Sequence, residues 1–520
     1  MRVRRLCALL CVLAFLFALA PARAGSASDA VTQDEASRLL SSQSRNEYAL
    51  LIGVDSFVSR ADTYPSSTNN VNAMQEVFQG ALNPFRAIIV PSDPVTTVDQ
   101  LTALIQKAFG AAGENDVCYL YLSTHGVYDP ASGLEPMLLL SDGQTENGIT
   151  PAQLEAAFDG ILGTKVLILD ACNSGAFIGK GLPSLPEQVH FLGDDFKVLT
   201  SSGALEESWY WSVDDQNDSG IAGQGSFYFT QALAQSLSAA YGYPADQNRD
   251  GCVVLSELYE YLVLNHAAST PQVYPQSDDF VVFRYDASQP LPTGLARAPI
   301  MDVTFSGTTL SRSSRQITIE FIAMRPVRVA YQVVYQRDGK WEFDHAQLIY
   351  DEAERFTAYG DQPGAISAGR KVRTLTLGEL DEGVYGYAMV QLVTIDQGKL
   401  TVHAGRVISI PPDAADMTLT ASVADTFDPS GGRELSIFIG HEYPCALSVS
   451  ILDEEEQVVH RLCHRQSTRP MQMNPEGTVL YWNGRLKDGT MAGPGVYRVR
   501  AEAVMNDATV TVLSSAFTIQ

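Results

Sequence analysis

The apolar positions of this chain fall into two textures that change near residue 290. From Glu47 to Tyr285, unbroken apolar runs alternate with stretches that carry apolar residues at helical spacing. Tyr48–Val54, Ala87–Val90, Tyr119–Ser123, Val166–Asp170, Phe196–Thr200 and Phe280–Phe283 read as strands. Unbroken apolar runs mark parallel strands covered on both faces. Between them, Asn70–Phe78 puts Val71, Met74, Val77 and Phe78 on one helical face. Val98–Phe109, Pro151–Phe158 (capped by Thr150) and Phe227–Ala240 read as further helices. This alternation predicts an α/β unit over residues 46–285, a mostly parallel sheet with helices on both faces.

Beyond the linker at 286–299 the period shifts to two. Val327, Val329, Tyr331 and Val333 alternate with polar neighbours, as in a half-exposed strand. Similar runs bounded by turn residues continue to Ile410, so residues 300–410 are expected to form an all-β sandwich. Pro411-Pro412 marks a boundary, and residues 413–520 read as a second β-sandwich.

The first 45 residues belong to neither texture. Arg2, Arg4 and Arg5, then apolar Leu6–Ala20, then Ala22-Arg-Ala24 predict a signal peptide over residues 1–24. A small, polar linker or pro-segment follows over 25–45. The protein is therefore expected to be secreted, periplasmic or at the cell surface, and no later segment has the length and apolarity of a membrane span. The chain carries a formal charge of −25, which becomes about −29 once the four signal-peptide arginines leave. That excess argues against nucleic acid and anionic membrane as partners. Cys7 and Cys11 leave with the signal, Cys118 sits inside an apolar strand, and Cys445 with Cys463 could form a disulfide in an oxidising compartment.

Chemistry concentrates where two of the apolar strands stop. Tyr119-Leu-Tyr-Leu-Ser-Thr-His125-Gly126 ends at an imidazole, and Val166-Leu-Ile-Leu-Asp170-Ala-Cys172-Asn-Ser-Gly175 ends at a thiol. Side by side in a sheet, such strands lie about 4.8 Å apart. Thiol and imidazole would then share one rim, which suffices for nucleophilic cysteine chemistry.

These two motifs, in this order, resemble the caspase-like cysteine peptidases, particularly the metacaspase and bacterial caspase-like branch. Ala49–Gly53, Thr200–Gly203 and Gly225–Thr230 extend the resemblance across residues 46–285. It implies an endopeptidase acting on polypeptides, with no cofactor for catalysis. Cys172 would attack as a thiolate stabilised by the His125 imidazolium, which then protonates the leaving amine. The resemblance also implies that the backbone amides of Gly126 and Cys172 hold the oxyanion. Asp170 would line the pocket that selects Arg or Lys before the cut bond. Metacaspases usually place a second acid in the first helix; here Asn70 stands at that position. Members often cut themselves after the nucleophile, which makes Lys180 a candidate self-cleavage site. Near the C-terminus, Trp482-Asn-Gly-Arg485, Gly489 and Gly495-Val-Tyr-Arg498 resemble the immunoglobulin-like domain of bacterial flagellar hook-capping proteins.

One further motif has EF-hand spacing. Asp246, Asn248, Asp250 and Glu257 fall at positions 1, 3, 5 and 12 of a calcium loop, with Gly251 at 6 and Cys252 at the carbonyl-donating position. Such a loop would take calcium; the alternative is that its acids simply cap and solvate a turn into the last helix. The rival to the peptidase reading is an inactive caspase-like scaffold whose β domains form a surface-binding module; the intact Cys172–His125 pair speaks against it.

Overall fold

The computed structural model describes residues 45–60, 66–184, 186, 188–213, 224–265, 268–310, 315–337, 340–342, 347–354, 356, 362–377, 385–396, 399–412, 416–471, 476–506 and 508–520. The expected signal peptide at 1–24 and nearly all of the 25–45 segment lie outside them.

In chain order, the strands of the α/β unit are β1 (Glu47–Gly53), β2 (Ala87–Ile89), β3 (Val117–Ser123), β4 (Gly126–Asp129), β5 (Leu134–Ser141), β6 (Glu146–Ile149), β7 (Thr164–Asp170), β8 (Phe196–Thr200), β9 (Tyr210–Val213), β10 (Gln224–Phe227), β11 (Cys252–Val254), β12 (Gln272–Tyr274) and β13 (Val281–Arg284). Its helices are α1 (Ser66–Gln79), α2 (Val98–Phe109), α3 (Pro151–Ala156), α4 (Tyr228–Ser236) and α5 (Leu255–Asn265). The main sheet runs β12-β8-β7-β3-β1-β2, parallel throughout except for β12.

The strands are apolar on both sides because both sides are covered. Leu50, Ile52, Leu120, Leu122, Leu167 and Leu169 point to the face holding α2 and α3, where they meet Leu101, Ile105, Phe109 and Leu154. Their sequence neighbours Ala49, Leu51, Tyr119, Tyr121, Val166 and Ile168 point the other way, onto Val71, Met74, Phe229, Leu233, Leu258 and Leu262 of α1, α4 and α5. A period of two divides each strand between the two cores.

The structure departs from expectation at three points. Phe280–Phe283 was expected as a strand of the main unit; β13 instead pairs with β11 in a separate antiparallel ribbon. The main sheet closes with β12, three residues too short to show a period in the sequence. A small antiparallel sheet, β4-β5-β6, is also inserted directly after His125.

The remaining described residues form sheets that are antiparallel apart from a two-residue parallel pairing of Thr426–Phe427 with Thr518–Ile519. Strands Ile300–Ser306, Gln316–Ala323 and Gly369–Thr376 form a sheet. Its Ile317, Ile319 and Phe321 share a core with Val329, Tyr331, Val390, Leu392 and Ile408 of a second sheet. In that second sheet, Gly386–Asp396 is buried along both faces rather than alternating. Its outer residues Met389 and Val393 pack in a further cluster with Tyr228 of α4. Farther on, Ile437, Ile439 and Trp482 pack against Val449, Ile451, Val499 and Ala501 from facing sheets. Among the described residues, no helix is long and apolar enough to cross a membrane.

Candidate active site

The site begins with register. β3 and β7 are parallel neighbours with Ser123 opposite Asp170, so His125 and Cys172 each leave the sheet two residues past the paired ends. The Thr124 amide continues the ladder by donating to the Asp170 carbonyl at 3.1 Å. Gly126 presses directly on the nucleophile turn. A Cβ built at Gly126 would lie 1.7 Å from the Cys172 carbonyl oxygen, so only glycine fits there.

The turn beyond Cys172 is sharply bent. Asn173 takes a left-handed conformation, φ 57°, and is held on both sides. Its amide donates to the Glu206 carbonyl at 2.8 Å, and its side chain donates to the Ala204 carbonyl at 2.9 Å. Behind it, the Ser201 hydroxyl donates to the Ala171 carbonyl and accepts from the Ala171 amide. Thr200–Gly203 is thus the brace of the nucleophile turn.

Two backbone amides remain to receive an oxyanion. Among the described residues no acceptor takes the Cys172 amide. Gly126 faces Leu138 across β4 and β5, while the Leu139 amide donates to the His125 carbonyl at 2.9 Å. That pattern makes Gly126–Leu138 a non-hydrogen-bonded pair, so the ladder leaves the Gly126 amide unspent.

Burial favours the neutral forms of both thiol and imidazole. Burial pushes the Cys172 thiol up to about 11, the Glu207 carboxylate adding to the effect and Arg60 opposing it. Burial pulls His125 down to about 4, helped by Arg60 and opposed by Glu146. The thiol donates to the Ser208 carbonyl at 3.4 Å, and the buried His125 Nδ1 has no hydrogen-bond partner among the described residues. The edge-on ring of Phe57, 4.4 Å between centroids, fixes the plane of the imidazole. The loop after Phe57 is tied down in turn, because Glu146 accepts the amides of Val58 and Ser59. Both shifts thus act against the thiolate–imidazolium pair expected from the sequence.

Asp170 is fully buried beneath this rim. Ser208 donates to its Oδ1 at 3.1 Å, and Thr230 to its Oδ2 at 2.6 Å. Thr230 in turn accepts from the Tyr121 hydroxyl at 2.5 Å. Burial raises the Asp170 carboxyl to about 6, with the hydroxyls opposing it. Asn70 joins the same buried network. Its Nδ2 donates to Ser123, and its Oδ1 accepts from the Ser226 hydroxyl and the Phe227 amide. The amide at 70 ties α1 to β10 and the end of β3. Ser208, Thr230, Tyr121, Phe57 and Glu146 carry no signal of their own in the sequence; only Tyr121 and Thr230 lie within stretches that a motif marks.

Two site expectations meet contrary geometry in the structure. Lys180 is not laid out for self-cleavage: its side chain is 4% exposed, paired with Glu434 and donating to the Val273 carbonyl. A buried, paired lysine cannot extend into an active-site cleft. Cys445 and Cys463 are both free thiols. Cys463 faces Val449 across its hairpin, while Cys445 bonds to Thr468. Four to five positions along a strand amount to about 13 Å or more, well past the reach of a disulfide.

The 246–257 loop has no helix leading directly into it, since α4 ends at Ser236, ten residues before it, and the loop's acids spend oxygens on local amides. Asp246 accepts the amides of Arg249 and Gly251 and the Tyr285 hydroxyl. Asn248, Asp250 and Glu257 accept the amides of Asp250, Cys252 and Val254. Among the described residues no cluster of three or more His, Cys, Asp or Glu is placed to hold a metal ion.

The family model of the caspase domain matches residues 46–401, more than half of the chain. The chain belongs to the caspase-domain family. That membership indicates a cysteine peptidase and agrees with the mostly parallel sheet flanked by helices. The match runs past the α/β unit into the first antiparallel sheets. No protein of curated function matches. Among solved structures, protein GSU0716 from Geobacter sulfurreducens is 13% identical over 44% of this chain and 92% of its own, with a TM-score of 0.31. Caspase-1 from Spodoptera frugiperda is 12% identical over 46% of this chain and 93% of its own, TM-score 0.30. Latent PorU from Porphyromonas gingivalis is 14% identical over 48% of this chain and 22% of its own, TM-score 0.18.

Proposed function

We propose that this caspase-family chain is an exported cysteine endopeptidase of metacaspase-like specificity, cutting polypeptides after Arg or Lys through Cys172 and His125. The observation that carries the reading is Asp170: a fully buried carboxylate, two residues before the nucleophile, bonded by hydroxyls and, among the described residues, by no cation. A substrate guanidinium or ammonium reaching it would supply the missing charge, and a buried charge-assisted pair is strong.

The chemistry follows from the neutral forms that burial favours. As the Cys172 sulfur attacks the carbonyl carbon, its proton passes to neutral His125, and the carbon–oxygen double bond becomes an oxyanion at the Gly126 and Cys172 amides. The imidazolium so formed donates that proton to the leaving nitrogen as the carbon–nitrogen bond breaks, leaving a thioester. Water then attacks the thioester carbon with His125 as base, releasing the acid and restoring the thiol. Export rests on the basic-then-apolar N-terminus, and the C-terminal sheets are assigned to an immunoglobulin-like domain on the Trp482–Arg498 pattern.

Cleavage profiling of a peptide library, in calcium and in chelator, tests this. Cuts confined to bonds after Arg and Lys, the same in both conditions, are expected; cuts after Asp, or none at all, refute it.

A further inference from the structure

The loop beyond Cys172 does not end in solvent. Its backbone folds onto the brace strand, the Gly175 amide donating to the Ser202 carbonyl at 2.9 Å and the Ala204 amide to the Lys180 carbonyl at 2.8 Å. The approach is close enough that a Cβ at Gly181 would lie 2.5 Å from the Ala204 nitrogen. The loop then meets residues more than 250 positions away. The Lys180 ammonium pairs with Glu434, the two side chains 4% and 5% exposed, and sits 4.7 Å from the centre of the Tyr481 ring. The Tyr481 hydroxyl accepts the Gly181 amide at 2.6 Å, and the Ser436 hydroxyl donates to the Leu182 carbonyl.

A second tie reaches the other flank of the turn. Glu206, whose carbonyl holds the Asn173 amide, has its own carboxylate fixed by the Gly203 and Thr270 amides. Arg469 acts on that carboxylate from the C-terminal sheets while donating to the Ser269 and Val263 carbonyls. Both sides of the nucleophile turn are thus anchored by the last hundred residues of the chain.

We infer that the C-terminal β unit is a built-in clamp that holds the nucleophile loop in its working shape without cleavage, with Glu434 and Tyr481 as positioning residues acting through Lys180 and Gly181. This rests on Cys172 being the nucleophile, as proposed above. The buried pair explains why a lysine stands in this loop: its charge is met by Glu434, and removing either partner strands the other in a dry site.

The test uses the full chain and two readouts. Tyr481→Phe deletes only the hydroxyl that accepts Gly181, in a side chain of nearly unchanged shape. Hydrogen exchange of residues 173–182 should speed at least tenfold in Tyr481→Phe, while exchange in β1 and β3 stays as in the wild type. Turnover of an arginyl peptide should fall at least tenfold in kcat with KM within twofold, since the Asp170 pocket is untouched. Glu434→Gln should behave likewise, and Lys180→Met with Glu434→Gln together should recover most of the loss, because no lone charge remains. Exchange and kcat unchanged in Tyr481→Phe would overturn the clamp, as would a double variant no better than Glu434→Gln. Because exchange is read without substrate, a loop that loosens in an enzyme with no peptidase activity supports the clamp and sinks only the proposed function.

Discussion

Asp170→Asn should make this protein more stable at alkaline pH and less active at every pH. The carboxyl is fully buried, and its pKa stands at about 6 against an ordinary 3.8. An acid whose pKa rises on folding is penalised when ionised, so the cost is absent below the unfolded value and complete above the folded one. At about 1.4 kcal/mol per pH unit, that gap corresponds to roughly 3 kcal/mol of destabilisation above pH 6. Asparagine carries no charge, but its NH2 must face either Ser208 or Thr230, where a hydroxyl now donates; that mismatch costs about 1 kcal/mol. The variant should thus gain about 2 kcal/mol at pH 8. By pH 4 the wild-type penalty has fallen to about 0.5 kcal/mol, so the variant should then be slightly the less stable of the two. Thermal unfolding of both proteins at the two pH values reads the crossing directly. Cleavage after arginine should drop by roughly two to three orders of magnitude, the loss expected when a buried pair loses one partner. A stability gap independent of pH, or a variant less stable at pH 8, would refute the reasoning that Asp170 is a buried charge awaiting a cation.

The same carboxyl should govern the pH dependence of the wild type. Cleavage of arginyl peptides should rise with pH through about 6, as Asp170 ionises, because His125, at about 4, is already neutral there; a rise centred near 4 instead would assign the limb to the imidazole. Thr230→Val removes a donor to Asp170 and should move that limb upward, as a pH–rate profile will show. Gly126→Ala forces a methyl to within 1.7 Å of the Cys172 carbonyl, so it should abolish turnover and lower the unfolding temperature, whereas Ala at exposed Gly133, which lies just beyond β4, should leave turnover unchanged. Mass spectrometry of active protein should find the chain intact at Lys180, since that side chain is sealed against Glu434.

What could be read in advance follows from where the information lies. The parallel strands β3 and β7 were legible because burial on both faces writes itself as an unbroken apolar run, and each run stops where its reactive residue begins. The register that pairs Ser123 with Asp170 follows from those endings. β12 was not legible, because three residues show no period and its place depends on β8. Lys180 illustrates the main limit. In the sequence it is a basic residue in a glycine-rich loop, and its partner Glu434 lies in another sheet system altogether. Asn70 was placed at the right helix, but its three bonds to β3 and β10 come from residues 53 to 157 positions away. Cys445 and Cys463 failed for a related reason: an oxidising compartment permits a pair, while the hairpin register sets them apart.

The central claim is that the sulfur at 172 is a nucleophile served by a cation pocket. An irreversible arginyl ketone probe followed by peptide mapping tests it most directly. Labelling should fall on Cys172 alone, vanish in Cys172→Ala and slow by roughly a hundredfold or more in Asp170→Asn. Label on the half-buried Cys252 or Cys463, or an unmodified Cys172 in folded protein, would contradict the account.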